Sequence, residues 1–234
     1  MERVGSCISL HCRATVKAVA LNAALAGVAS GIGVADPQPG TTMVYTIHHE
    51  DYGDIGQHRV TFTQNGEQLI VDVENKVEVK FLAITAFRYE AKRQEYWQGD
   101  QMVSYRSFTY DDGRDIAVTG ETVGDRLVIE APSGRIETEA GVFPTHPWNK
   151  AIARESILMD TKTGELLNVN IANVGEEIIE AGGEKIEATK YEVTGDTERE
   201  VWFDSEDNWV RLRFVRDGSA ITFTLNCAPE QRVC

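Results

Sequence analysis

The run Leu69-Ile70-Val71-Asp72-Val73-Glu74-Asn75-Lys76-Val77-Glu78-Val79-Lys80-Phe81 decides the fold class. Its odd positions read Leu, Val, Val, Asn, Val, Val, Phe, and its even positions Ile, Asp, Glu, Lys, Glu, Lys. Only Ile70 and Asn75 break a period of two. That period marks a strand with one dry face and one wet face. At about 3.3 Å per residue the run would reach about 43 Å, so a long bent strand, or a break near Asn75, is expected.

Outward from this run the same alternation returns in Phe87-Tyr89-Ala91, Leu127-Ile129-Ala131, Leu167-Val169-Ile171 and Val210-Leu212-Phe214. Between the runs stand Asn65-Gly66, Asp112-Gly113, Ser133-Gly134, Thr163-Gly164, Gly182-Gly183 and Asp217-Gly218, dipeptides that supply the positive φ of tight hairpins. The acidic Asp204-Ser205-Glu206-Asp207 lacks the glycine and downstream glutamate of a calcium loop, and it reads as another hairpin turn. Short strands punctuated this regularly predict an all-β antiparallel meander.

One segment departs from the pattern. Pro147 suits a first helical turn, and Trp148, Ala151 and Ile152 make a short apolar stripe, so one helix is expected around residues 147–156. A helix of that size cannot cover the apolar face of about a dozen strands. The sheet must curl on itself as an open or closed barrel-like structure, either filled by side chains or enclosing a ligand cavity. Aromatics on the strands and at the helix point to an apolar or lipid-like ligand, with Tyr89, Trp97, Arg106 and Trp148 as its candidate contacts.

The first 35 residues read differently. Arg3, Arg13 and Lys17 make a basic leader, Ala18 to Ala35 carries no charge, and Gly33-Val34-Ala35 places small residues before Asp36-Pro37. That is the layout of a signal peptide cleaved after Ala35, with residues 36–234 as a single β domain in the periplasm or outside the cell. Cleavage removes Cys7 and Cys12 and leaves Cys227 and Cys234, which an oxidising compartment would pair as a disulfide. The residue immediately after the cleavage position is Asp36 rather than cysteine, so no lipid anchor and no membrane span is expected of the mature chain. The net charge of −14 becomes −16 for residues 36–234. A surface of that sign opposes nucleic acid and adsorption to anionic headgroups.

Catalytic signals are sparse. There is no Gly-x-Ser-x-Gly elbow, no phosphate-binding glycine loop and no dinucleotide fingerprint. No cofactor is expected. His48, Glu50 and His58 form the one cluster with metal-ligand composition, and a metal-assisted hydrolase is the alternative they define. A third reading is an envelope scaffold or interaction module whose sheet edge pairs with an envelope protein. His146, before a proline and beside Trp148, suits either the rim of a pocket or a helix cap.

Four stretches carry a resemblance: Tyr52-Gly53-Asp54-Ile55-Gly56-Gln57-His58; Val77 to Lys80 with Phe87-Arg88-Tyr89 and Glu95-Tyr96-Trp97; Trp148-Asn149 with Leu158 to Gly164; and Tyr191 to Gly195 with Val201 to Asp204 and Leu212 to Gly218. Across about residues 43–225 the chain resembles a family of exported proteobacterial proteins known as a domain of unknown function. That family is in turn similar to periplasmic curled β proteins of the lipoprotein-carrier type. The resemblance implies the fold and the compartment, and it assigns no catalytic residue.

Overall fold

In the computed structural model, residues 39–81 and 84–226 are described. The leader with its cleavage position, and Cys227 and Cys234, lie outside the described residues.

The predicted hairpins form in sequence order. β1 (Thr42–His49), β2 (Gly53–Asn65), β3 (Gln68–Phe81), β4 (Ile84–Gln98), β5 (Gln101–Asp111), β6 (Arg114–Val123), β7 (Arg126–Ala131) and β8 (Gly134–Glu139) make one antiparallel meander. A second runs through β10 (Ile157–Met159), β11 (Leu166–Ala181), β12 (Glu184–Gly195), β13 (Arg199–Phe203), β14 (Trp209–Arg216) and β15 (Ser219–Leu225). β1 pairs antiparallel with β15, from Tyr45 opposite Leu225 to His49 opposite Ile221, and so joins the two meanders into one sheet of fifteen strands. The two-residue β9 (Phe143–Pro144) lies parallel to β10, the one parallel pairing among the described residues.

The turn residues do what their chemistry allows. Asp112 and Gly113 both have positive φ (45° and 93°), as do Asp217 and Gly218 (53° and 87°), the conformation of a two-residue hairpin whose twist matches its strands. The acidic run is a turn as expected: an Asp204 carboxylate oxygen accepts the backbone N–H groups of Glu206 and Asn208.

β3 is continuous through Asn75, and its register with β4 slips at Val79 and Lys80 instead. Asn75 keeps the alternation and turns inward, opposite His58 on one side and Ala91 on the other. The helix around 147–156 shrinks to one 3-10 turn, Lys150–Arg154. Asn149 caps it by accepting the N–H of Ala151, and Glu155 is already extended. The cause is competition: Trp148 is drawn into the core by Phe62 and Trp97, while the chain must be extended by Ile157 to join the sheet.

The two edges of the sheet are β8 and β9, so the sheet is open in its hydrogen bonding. Side chains cover the seam. The Tyr105 hydroxyl donates to the Thr161 carbonyl (2.5 Å), Lys162 pairs with Asp111 (2.5 Å), and Gly164 sits against Val118, Ile129 and Ala131. The segment from Phe143 to Gly164 thus fills part of the sheet's concave interior, beside a core of Trp97, Trp148, Phe62, Tyr45 and Trp209. Among the described residues no helix is long and apolar enough to cross a membrane.

Candidate functional site

The alternation of β4 carries further than its apolar start suggests. After Ala91 the next inward positions are Arg93, Glu95 and Trp97, all buried. Glu95 has no exposed surface, and one of its carboxylate oxygens accepts the indole N–H of Trp97 (3.0 Å) and of Trp148 (2.8 Å). Burial pushes its pKa up to about 7, against the pull of those two donors and of Arg93. The other oxygen has no hydrogen-bond partner and lies 3.8 Å from Nδ1 of His146.

His146 in turn shares a hydrogen bond of 3.0 Å with His58 through their Nε2 atoms. Burial holds both rings well below the ordinary histidine pKa, and Arg93 depresses both further. Both are therefore neutral, and one donates while the other accepts. Tyr45, Trp209 and Phe223 pack edge-on against His58.

Above this cluster opens a half-open cavity of about 720 Å³. Val77, Val79, Phe87, Phe214 and Ile221 make apolar walls and are only half-buried. His58, His146, Asn75, Arg93 and Arg199 line it as well. The Oδ1 of Asn75 and the Nε of both arginines have no hydrogen-bond partner. Arg199 is aimed by its bonds to the Thr145 carbonyl (3.2 Å) and the Thr197 hydroxyl (2.9 Å). Among the described residues no carboxylate oxygen lies within 4.0 Å of either guanidinium. Burial, and the charge of Arg93 nearby, hold Arg199 below the ordinary guanidinium range, with Asp160 pulling the other way.

The residues singled out from the sequence separate into three groups. Tyr89 lines the cavity. Trp97 and Trp148 are buried beneath it, where they hold Glu95 rather than form the wall. Arg106 stands on the outer face, exposed and 3.8 Å from Glu121. The metal set is not assembled: His58 is buried, while His48 is exposed and bonded to Asp54 (2.9 Å), and Glu50 is exposed and accepts the Ala220 N–H. His48 shares the outward face of β1 with Thr46, whereas His58 shares the inward face of β2 with Val60 and Phe62, which separates them. Among the described residues no three His, Cys, Asp or Glu side chains are placed to hold a metal ion.

Sequence reasoning missed Arg93, Glu95 and Arg199. The signal for the first two was present, since they continue the inward register of Tyr89 and Ala91. Arg199 had none, because its role depends on where the Thr145 carbonyl sits.

A crystal structure of a beta-barrel-like protein of the domain of unknown function DUF1849 from Brucella abortus is similar in fold. Its TM-score is 0.56 at 8% identity, over 79% of this chain and 94% of that one. No curated protein matches the chain. The family model of the domain of unknown function DUF6134 matches residues 45–226, from the first strand to the last. The chain belongs to the DUF6134 family.

Proposed function

We propose that this protein is a non-catalytic carrier or receptor for an apolar, lipid-like ligand, working in the periplasm or outside the cell. The observation that carries the reading is the cavity: about 720 Å³, half open, with Val77, Val79, Phe87, Phe214 and Ile221 unfilled against it. That volume falls in the range of about 300–1000 Å³ typical of small-molecule sites. The leader supports the compartment, since basic residues, an uncharged run and a small-residue cleavage position stand in the order export requires.

Native mass spectrometry of the protein purified from its own cells checks both parts. The expected result is a mass beginning at Asp36 with a hydrophobic species bound, and displacement of that species by an environment-sensitive dye. A chain that retains residues 1–35 would refute the compartment. Protein that carries no hydrophobic species and binds no dye would refute the ligand.

A further inference from the structure

The apolar walls do not explain the polar end of the cavity. Two arginines face one space, Arg93 buried and Arg199 half-buried, and each has an unpartnered Nε. Their other bonds go to neutral groups, Tyr89 for Arg93 and the Thr145 carbonyl and Thr197 hydroxyl for Arg199. A buried charge without a counter-charge in contact is unfavourable, and two of the same sign are worse. A guanidinium does not escape by deprotonating in a protein. Asp160 attracts Arg199 and Glu95 attracts Arg93, but neither carboxylate pairs directly with a guanidinium. Asp51, Glu198 and Asp217 line the cavity but are exposed, and an oxygen of Asp160 is taken by the N–H groups of Lys162 and Thr163. Glu95 lies beyond ion-pair distance, with one oxygen committed to two indoles.

We propose that the ligand is an anionic amphiphile: a carboxylate or phosphate head bound between Arg93 and Arg199, with Asn75 beside it, and a hydrocarbon tail along Phe87, Phe214 and Ile221. This rests on the cavity being an apolar-ligand site and adds the class of ligand. An oxyanion head satisfies the guanidinium donors in a dry setting, where charge-assisted bonds are strongest. The acidic exterior repels anionic surfaces, but the arginines are inside, so selection acts on single molecules that enter rather than on membranes.

The test uses delipidated full-chain protein processed by its secreting host, with Trp209 in the cavity wall as the fluorescent reporter. Oleate, oleyl alcohol, oleoyl lysophosphatidate and inorganic phosphate are titrated below their aggregation concentrations. Oleate or the lysophosphatidate should bind at least about tenfold more tightly than the alcohol, the factor that one charge-assisted bond supplies. Whichever of the two is tighter identifies the head. Arg93→Gln and Arg199→Gln should each lose that preference while alcohol binding stays within about twofold, and Arg93→Lys should keep part of it. Equal binding of acid and alcohol overturns the head assignment and leaves the apolar-ligand reading standing. Binding of none of the three lipids overturns both. Inorganic phosphate bound as tightly as the lipids overturns the tail. Should Arg93→Gln not fold, Arg199→Gln and the wild-type comparison of acid with alcohol still decide.

Discussion

Glu95 is the residue whose chemistry is most changed by folding. Its ordinary pKa of 4.5 rises to about 7 because its burial on β4 outweighs the two indole donors and the charge of Arg93. Between those values the folded protein holds a proton that the unfolded chain has released. Glu95 therefore favours the fold at low pH, and that contribution is lost as pH rises through about 7. The full difference is worth about 3 kcal/mol. His58 and His146 act with the opposite sign: their lowered pKa values support the fold above about 6.5 and withdraw that support as pH falls below it. Glu95→Gln keeps an oxygen for both indoles and cannot ionise. In urea unfolding it should be more stable than wild type by up to about 3 kcal/mol at pH 8.5, with the advantage gone by about pH 4. A variant less stable at pH 8.5 would mean that Arg93 stabilises the carboxylate more than burial opposes it.

At the scale of elements, the segment from Phe143 to Gly164 determines the interior. It joins the two meanders, contributes His146 and Trp148 to the buried cluster, and covers the seam. Its end is held by an Asx turn, in which an Asp160 carboxylate oxygen accepts the N–H groups of Lys162 and Thr163 and the Asp160 carbonyl accepts that of Gly164. Gly164 has φ +74°, and a Cβ there would lie 2.9 Å from Val118 and 3.0 Å from Ala131 and Ile129. Gly164→Ala should therefore destabilise by about 2–4 kcal/mol, combining backbone strain with overpacking at the seam. Amide exchange would show increased opening from Phe143 to Gly164 first. Unchanged stability would show that the seam is loosely packed.

The same segment shows where sequence reading succeeds and where it stops. Its departure from strand alternation was legible, and so was Gly164 as a turn glycine. Its helix was overestimated, because the propensity of Trp148-Asn149-Lys150-Ala151-Ile152 is a local preference, and the pull of Glu95, Phe62 and Trp97 on Trp148 is not local. Arg106 failed for a related reason. A charged residue among β5 aromatics can face either side, and the register with β4 and β6 puts it outside.

At the scale of the molecule, charge and site oppose each other. The chain carries −14 overall, yet Arg93 is buried in the cavity wall and Arg199 faces the same space. Surface repulsion is screened by salt, with a Debye length of about 10 Å at 0.1 M, whereas buried pairs are screened much less. The association rate of oleate should thus increase from 10 to 150 mM salt while its dissociation rate changes little, measured by stopped-flow tryptophan fluorescence. An association rate that falls with salt would place the dominant attraction on the surface instead.

The sequence by itself determined the all-β class, the hairpin turns, the acidic character and the curling of the sheet. Each follows from short-range physics: side-chain alternation, positive φ at glycine and aspartate, summed charge, and more apolar face than a helix could cover. Only the tertiary structure decided that the first and last strands pair, that the interior is part plug and part cavity, and that Arg93, Glu95, His58, His146 and Arg199 converge there. These contacts join residues as far apart as Tyr45 and Trp209, whose rings stack 4.0 Å apart, and no local pattern encodes them. Burial, the largest cause of the altered acidity of Glu95 and the two histidines, is a property of the folded whole.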